Sequence, residues 1–221
     1  FPHAGTDGAD TNFVSNRQNL FSSPAIRVAG NRVLELAGVT ANSVDHVDLY
    51  SCFPSAVQIA ATELGLDLDK QLTQTGGLTF AGGPLNNYVT HSIATMANVL
   101  RDDPGSIGLC SANGGYITKH AFGVYSTTPP STDFQHEDCQ NEIDSFPTKQ
   151  LDAEYVGPAT IEAYTVMHGA SGPEVGLASL LTPNGRQWAQ TTNSDLMEAM
   201  MKSEHVGLSA EVTPDFQFYL I

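Results

Sequence analysis

At 221 residues the chain is long enough for one large hydrophobic core or two modest ones, and its apolar content of 41% is that of an ordinary globular protein. Twenty-four acidic residues against nine basic ones give a formal charge of -15, which repels phosphate backbones and anionic membrane surfaces and argues against nucleic-acid partners. The longest apolar runs are too short to span a bilayer and follow no basic leader, and Cys52, Cys110 and Cys139 form an odd, widely spaced set without a CxxC pair. A cytoplasmic chain that touches no membrane is expected, and its start at Phe1 suggests a processed chain or a fragment.

The opening PHAGTDGADTN reads as loop. Ser23 as cap, Pro24 in the first turn and Gly38 as stop predict a helix with Ile26, Ala29, Val33, Leu36 and Ala37 on one face. VDHVDLY alternates as a strand that runs into Cys52 and Phe53, and Pro54 then opens a second helix that ends at Gly65. A glycine loop from Gly76 to Pro84 delivers the chain to a third helix, expected over 85–103. SIGLCSA reads as a buried strand, ANGG as a tight turn and AFGVYST as a neighbouring antiparallel strand.

This order predicts an α/β domain over 1–128, with helices layered on a mixed sheet. Residues 129–150, rich in Pro, Ser, Thr and acid, read as a linker. In the remainder, 151–221, five strands with one helix between the third and fourth, and Asn184-Gly185 as a hairpin signal, predict a small OB-like β-barrel.

Chemistry is expected where glycines bare the backbone. Gly76, Gly77, Gly82 and Gly83 sit in a loop ending at a helix start, where unpaired N–H groups favour a phosphate, carboxylate or thioester oxygen. Asn113, Gly114 and Gly115 offer a second set of N–H donors suited to an oxyanion hole. Cys110 flanks that turn as a thiol nucleophile or proton shuttle, or as core filling; Cys52 stands at a strand end, where α/β domains present reactive groups, with mere filling as its alternative too. His120 and His91 are the candidate bases, with a structural role as the alternative for each. His136, Glu137, Asp138 and Cys139 are adjacent residues in a polar stretch and are not expected to converge on a metal.

SSPAIRVAGNRVLELAGV, VDHVDLYSCFPSAVQIAATELGL, TGGLTFAGGPLNNYVTHSIATM and GLCSANGGYITKHAFGVYS, in that order, resemble the carboxy-terminal half of thiolases, above all the acetyl-CoA acetyltransferase relatives called thiolase-like protein type 1. The tail from YVGPATIEAYTVMH resembles the additional carboxy-terminal domain of that group. The resemblance implies an acyl-CoA acyltransferase of lipid metabolism that takes a coenzyme A thioester as substrate, with no covalent cofactor. Its nucleophilic cysteine would come from an amino-terminal thiolase half in the same or another chain, and a homo-oligomer is a further expectation. Anionic coenzyme A would need help from Arg17, Arg27, Arg32, Lys119 or a helix amino terminus against the acidic charge.

Three departures from the family pattern stand out. Tyr50-Ser51-Cys52-Phe53 resembles its Asn-Glu-Ala-Phe or His-Asp-Cys-Phe element, with Tyr50 where Asn or His would help hold water or an oxyanion. Gly82-Gly83-Pro84 resembles its Gly-His-Pro element, with Gly83 in place of the activating histidine. Cys110 to Gly115 resembles its Cys-containing glycine turn, one residue longer. The alternative function is a non-catalytic thiolase-like module that binds acyl-CoA or docks a partner protein.

Overall fold

The computed structural model describes residues 1–83 and 85–221, so Pro84, the last residue of the expected working loop, lies outside the described residues. The chain divides into two compact units, one formed by Phe1–Asn12 with Phe21–Pro147 and the other by Phe13–Leu20 with Thr148–Ile221.

The first unit is a mixed five-stranded sheet with helices packed on it. Its strands are β1 (Pro2–Ala9), β2 (His46–Asp48), β3 (Ile107–Gly114), β4 (Lys119–Ser126) and β5 (Gln135–Asp138), in the order β2-β3-β4-β1-β5. β3 and β4 are the expected antiparallel neighbours, β2 runs parallel to β3, and β5 runs parallel to β1. The helices are α1 (Pro24–Leu36), α2 (Pro54–Leu64), the short α3 (Leu78–Ala81), α4 (Tyr88–Asp102) and α5 (Gln140–Ile143).

α1 forms as its sequence dictates. The Ser23 hydroxyl accepts the Ile26 N–H at 3.2 Å while donating to Asp10 Oδ2 at 2.5 Å, and Ala25, Ile26, Ala29, Val33 and Leu34 are buried against the sheet. The core they enter is completed by Ala61 and Leu64 of α2 and by Leu49, Leu109, Phe122 and Val124.

Three expectations are corrected in this unit. The opening residues are strand β1, not loop; the buried positions of its alternation are Ala4, Thr6 and Gly8, too small and polar to advertise a strand. The third helix starts at Tyr88 rather than Leu85, because Leu85 has φ 50°, outside helical space, and stands 93% exposed. The stretch read as linker contains β5 and α5. β5 is a polar edge strand, invisible to hydrophobic patterning, and is tied to α1 by Arg32, which pairs with Glu137 at 2.7 Å and with Glu142 at 3.0 Å.

The second unit contains β6 (Gly157–Gly169), β7 (Gly172–Thr182), β8 (Gly185–Thr191), α6 (Ser194–Lys202), β9 (Ser209–Val212) and β10 (Phe218–Leu220), with the sheet order β10-β9-β6-β7-β8. Its turn between β7 and β8 uses Pro183 and Asn184, with Gly185 already paired to Thr182. Ile161, Leu180, Met200, Val212 and Phe218 form the core. The expected barrel is not closed: no ladder joins β8 to β10, and Gln190 of β8 makes only a single parallel bridge to Gln217, the residue before β10. One wholly buried cation organises this unit. Arg186 donates from Nε and Nη2 to the Glu162 carboxylate, both at 2.6 Å, and from Nη1 to the carbonyls of Ser15 and Arg17, both at 2.7 Å.

Candidate functional site

The ends of β2, β3 and β4 converge on one cavity of about 490 Å3 in the first unit, lined by Tyr50, Tyr88, Asn113, Gly114, Lys119 and His120 among others. Its geometry follows from strand register. β3 and β4 pair so that His120 stands opposite Asn113 and Lys119 opposite Gly114, which sets donor-bearing residues of one hairpin side by side. His120 is buried, and its Nε2–H donates to the Ile117 carbonyl at 3.1 Å. Tyr50 is fixed by its own N–H, which donates to Ser111 Oγ at 2.9 Å, and its ring meets that of Tyr88 edge-on at 5.0 Å. Burial pushes the Tyr50 phenol above its ordinary value, with nearby Cys52 adding to the effect.

Cys52, half-buried, lies just ahead of α2 and its Sγ accepts from Asn113 Nδ2 at 3.5 Å. The other end of that amide, Asn113 Oδ1, is buried without a hydrogen-bond partner among the described residues.

The remaining expected residues fall elsewhere. Cys110 is not at the cavity but in the layer between β3 and α4, packed with Met96 and Leu100. Burial pushes its thiol up to about 12, and nearby Asp48 adds to the effect. His91 is exposed on α4 with its ring beside Asn87 at 3.2 Å. Gly82 and Gly83 are exposed beyond α3, and Gly115 is exposed in the β3–β4 turn. Among the described residues no three metal-ligating side chains cluster, and no helix is long and apolar enough to cross a membrane.

Sequence reasoning missed the residues beneath the cavity. Asp48 is wholly buried, and its Oδ2 accepts the N–H groups of Gln74 at 2.8 Å and Thr75 at 2.9 Å. Tyr88 donates to Asp48 Oδ1 at 3.2 Å, and Ser51 Oγ accepts the Leu78 N–H at 3.2 Å. Burial pushes the Tyr88 phenol up; hydrogen bonds from Thr75 and Ser51 oppose this, and Asp48 adds to it. An acid set among the apolar residues of VDHVDLY was the available signal, since a carboxylate on a buried strand must find donors.

A second cavity of about 490 Å3 lies in the second unit, walled mainly by apolar groups including Leu20, Tyr164, Leu177, Trp188 and Phe216, and it contains none of the expected site residues.

Residues 138–217 match the thiolase-like protein type 1 additional C-terminal domain. A search of curated proteins returned no match. Among solved structures, the monomeric SCP2-thiolase-like protein type 1 from Mycobacterium smegmatis is 33% identical, with a TM-score of 0.88 over 100% of this chain and 50% of that one. The peroxisomal 3-ketoacyl-CoA thiolase of Saccharomyces cerevisiae is 24% identical over 47% of this chain and 28% of its own, with a TM-score of 0.41. The human mitochondrial 3-ketoacyl-CoA thiolase is 19% identical over 57% and 30%, with a TM-score of 0.45. The chain thus spans half the length of the mycobacterial protein that it matches from end to end. On that end-to-end likeness and the domain match, the chain is a thiolase-like protein carrying the type 1 additional C-terminal domain.

Proposed function

We propose that this chain is the carboxy-terminal portion of an acyl-CoA acyltransferase of the acetyl-CoA acetyltransferase kind, and that its cavity forms one wall of the acyl-thioester pocket. The observation that carries the reading is the convergence of Tyr50, Asn113, Gly114 and His120 on a single cavity, with Cys52 held against Asn113. A thioester carbonyl gathers negative charge as it is attacked, and fixed N–H donors lower that barrier most when they are in place beforehand. Asn113 Nδ2 and the N–H group of Gly114 are the donors in this reading. The acyl-accepting cysteine would come from an amino-terminal thiolase half.

Proton transfer is reassigned from the sequence expectation. A thiol pushed to about 12 by burial is a poor proton carrier near neutrality, so Cys110 is left as core and Cys52 takes the role. His120 is the histidine lining the cavity among the described residues and stands in for the imidazole that Gly83 lacks. The non-catalytic alternative is favoured by that same glycine, since an acyl-CoA pocket without its usual base would bind and not turn over.

Both readings are tested on the full-length protein by thiolysis of acetoacetyl-CoA, alongside calorimetry with acetyl-CoA. Turnover that falls at least tenfold in Cys52→Ala and is unchanged in Cys110→Ala supports the acyltransferase. Binding without turnover supports the binding module, and absence of both sinks the two readings together.

A further inference from the structure

Asp48 does not line the cavity, yet the residues that do are hung from it. Its two oxygens receive three donors from two segments: the backbone N–H groups of Gln74 and Thr75 at the entry to the glycine loop, and the Tyr88 hydroxyl at the start of α4. No cation pairs with it among the described residues. A buried carboxylate without a counter-ion is a costly way to join a strand to a loop, and an apolar contact would serve stability better.

A carboxylate is an acceptor only, so it dictates the direction of every bond around it. Because Tyr88 donates to Asp48, the contact between Thr75 Oγ1 and the Tyr88 oxygen at 2.8 Å must be donated by Thr75. Thr75 Oγ1 then keeps its lone pairs for the Gly77 N–H at 3.2 Å. One relay therefore runs from Gly77 through Thr75 and Tyr88 to Asp48. It fixes the glycine loop, and it fixes the Tyr88 ring whose edge-on contact holds Tyr50 at the cavity wall.

We propose that Asp48 is a positioning residue: from beneath the cavity its carboxylate sets the placement of Tyr88, Tyr50 and the first half of the glycine loop, and so the shape of the acyl pocket. This rests on the reading of that cavity as an acyl-thioester site. The isosteric Asp48→Asn keeps the volume and an acceptor for Gln74 and Thr75, but turns an NH2 group toward the Tyr88 oxygen. Tyr88 then donates to Thr75, so Thr75 Oγ1 still accepts the Gly77 N–H but no longer donates through Tyr88 to a carboxylate.

The test uses the full-length protein with Asp48→Asn, and Tyr88→Phe as a second variant that deletes only the hydroxyl. Amide hydrogen exchange at Gly77 should rise roughly tenfold in both, because its acceptor Thr75 Oγ1 is no longer anchored through Tyr88 to a carboxylate, with the unfolding midpoint near wild type. With acetoacetyl-CoA as probe, KM should rise while kcat changes less, because the pocket is misplaced and its reacting groups are intact. Unchanged exchange in both variants would overturn the proposal, as would faster exchange with unaltered KM in an active enzyme. A wild-type protein without turnover would sink the acyl-transfer reading alone: raised exchange would still sustain Asp48's hold on the loop, and unchanged exchange would overturn that as well.

Discussion

Replacing Gly77 by alanine should destabilise the first unit more than replacing Gly82, although the two share nearly the same backbone. Gly77 has φ 79°, ψ 178° and Gly82 φ 74°, ψ 170°, a region that is essentially closed to other residues and costs about 1–3 kcal/mol to enter. They differ in what an added methyl meets. At Gly82 there is nothing within 4 Å, whereas at Gly77 the Cβ would stand 2.7 Å from Ser51 Oγ. Overpacking of that kind adds about 1–3 kcal/mol, which is the expected gap between the two variants. Ser51→Ala loses the acceptor for the Leu78 N–H, about 1 kcal/mol, but removes the clashing oxygen and leaves Ser51 Cβ at 3.4 Å. The double variant should therefore be more stable than the sum of the singles, by about 1 kcal/mol or more. Urea unfolding followed by circular dichroism measures all four proteins. Equal costs for the two glycines, or additivity with Ser51→Ala, would refute the close packing of the loop on the end of β2.

In the second unit, Glu162→Ala strands the buried guanidinium of Arg186 and should cost about 3–5 kcal/mol, read from the Trp188 fluorescence transition in urea; a loss below about 1 kcal/mol would contradict the pair. Cys52 should react with iodoacetamide in the native protein at neutral pH while Cys110 reacts only on unfolding, as peptide mass mapping would show; native labelling of Cys110 would contradict its burial. The Cys110 thiol ionises at about 12 in the fold against an ordinary 9.0, so the unfolded chain loses its proton first as pH rises. Its contribution to stability is whole below about pH 9 and is lost between there and about pH 12. Cys110→Ala should flatten that alkaline limb of the stability curve, and an unchanged limb would remove the thiol as its cause.

Helices α1 and α2 and the β3–β4 hairpin were legible because each carries its signal locally: a Ser23–Pro24 start, an apolar stripe, or two apolar runs around ANGG. What escaped depends on distant partners. β1 and β5 have no apolar alternation of their own and are strands because each pairs with the other and β1 with β4. The site divides in the same way. The hairpin could be read from its two apolar runs, but its turn is 115–118 and not ANGG, since Ala112, Asn113 and Gly114 continue β3 by pairing with β4; nor could the burial of Cys110 be read, because helix α4 is what covers it. Asp48 was passed over since its three donors lie between 26 and 40 residues away. Closure of the tail into a barrel was expected from strand count, and strand count does not specify a ladder between β8 and β10.

The central claim is that the cavity bounded by Tyr50, Asn113, Gly114 and His120 receives an acyl thioester. Amide hydrogen exchange on the full-length protein, with and without acetyl-CoA, tests it most directly. Protection concentrated in the 110–122 hairpin and in residues 50–53 and 74–80 is the predicted result. Protection confined to other segments, or none at saturating acetyl-CoA, would contradict it.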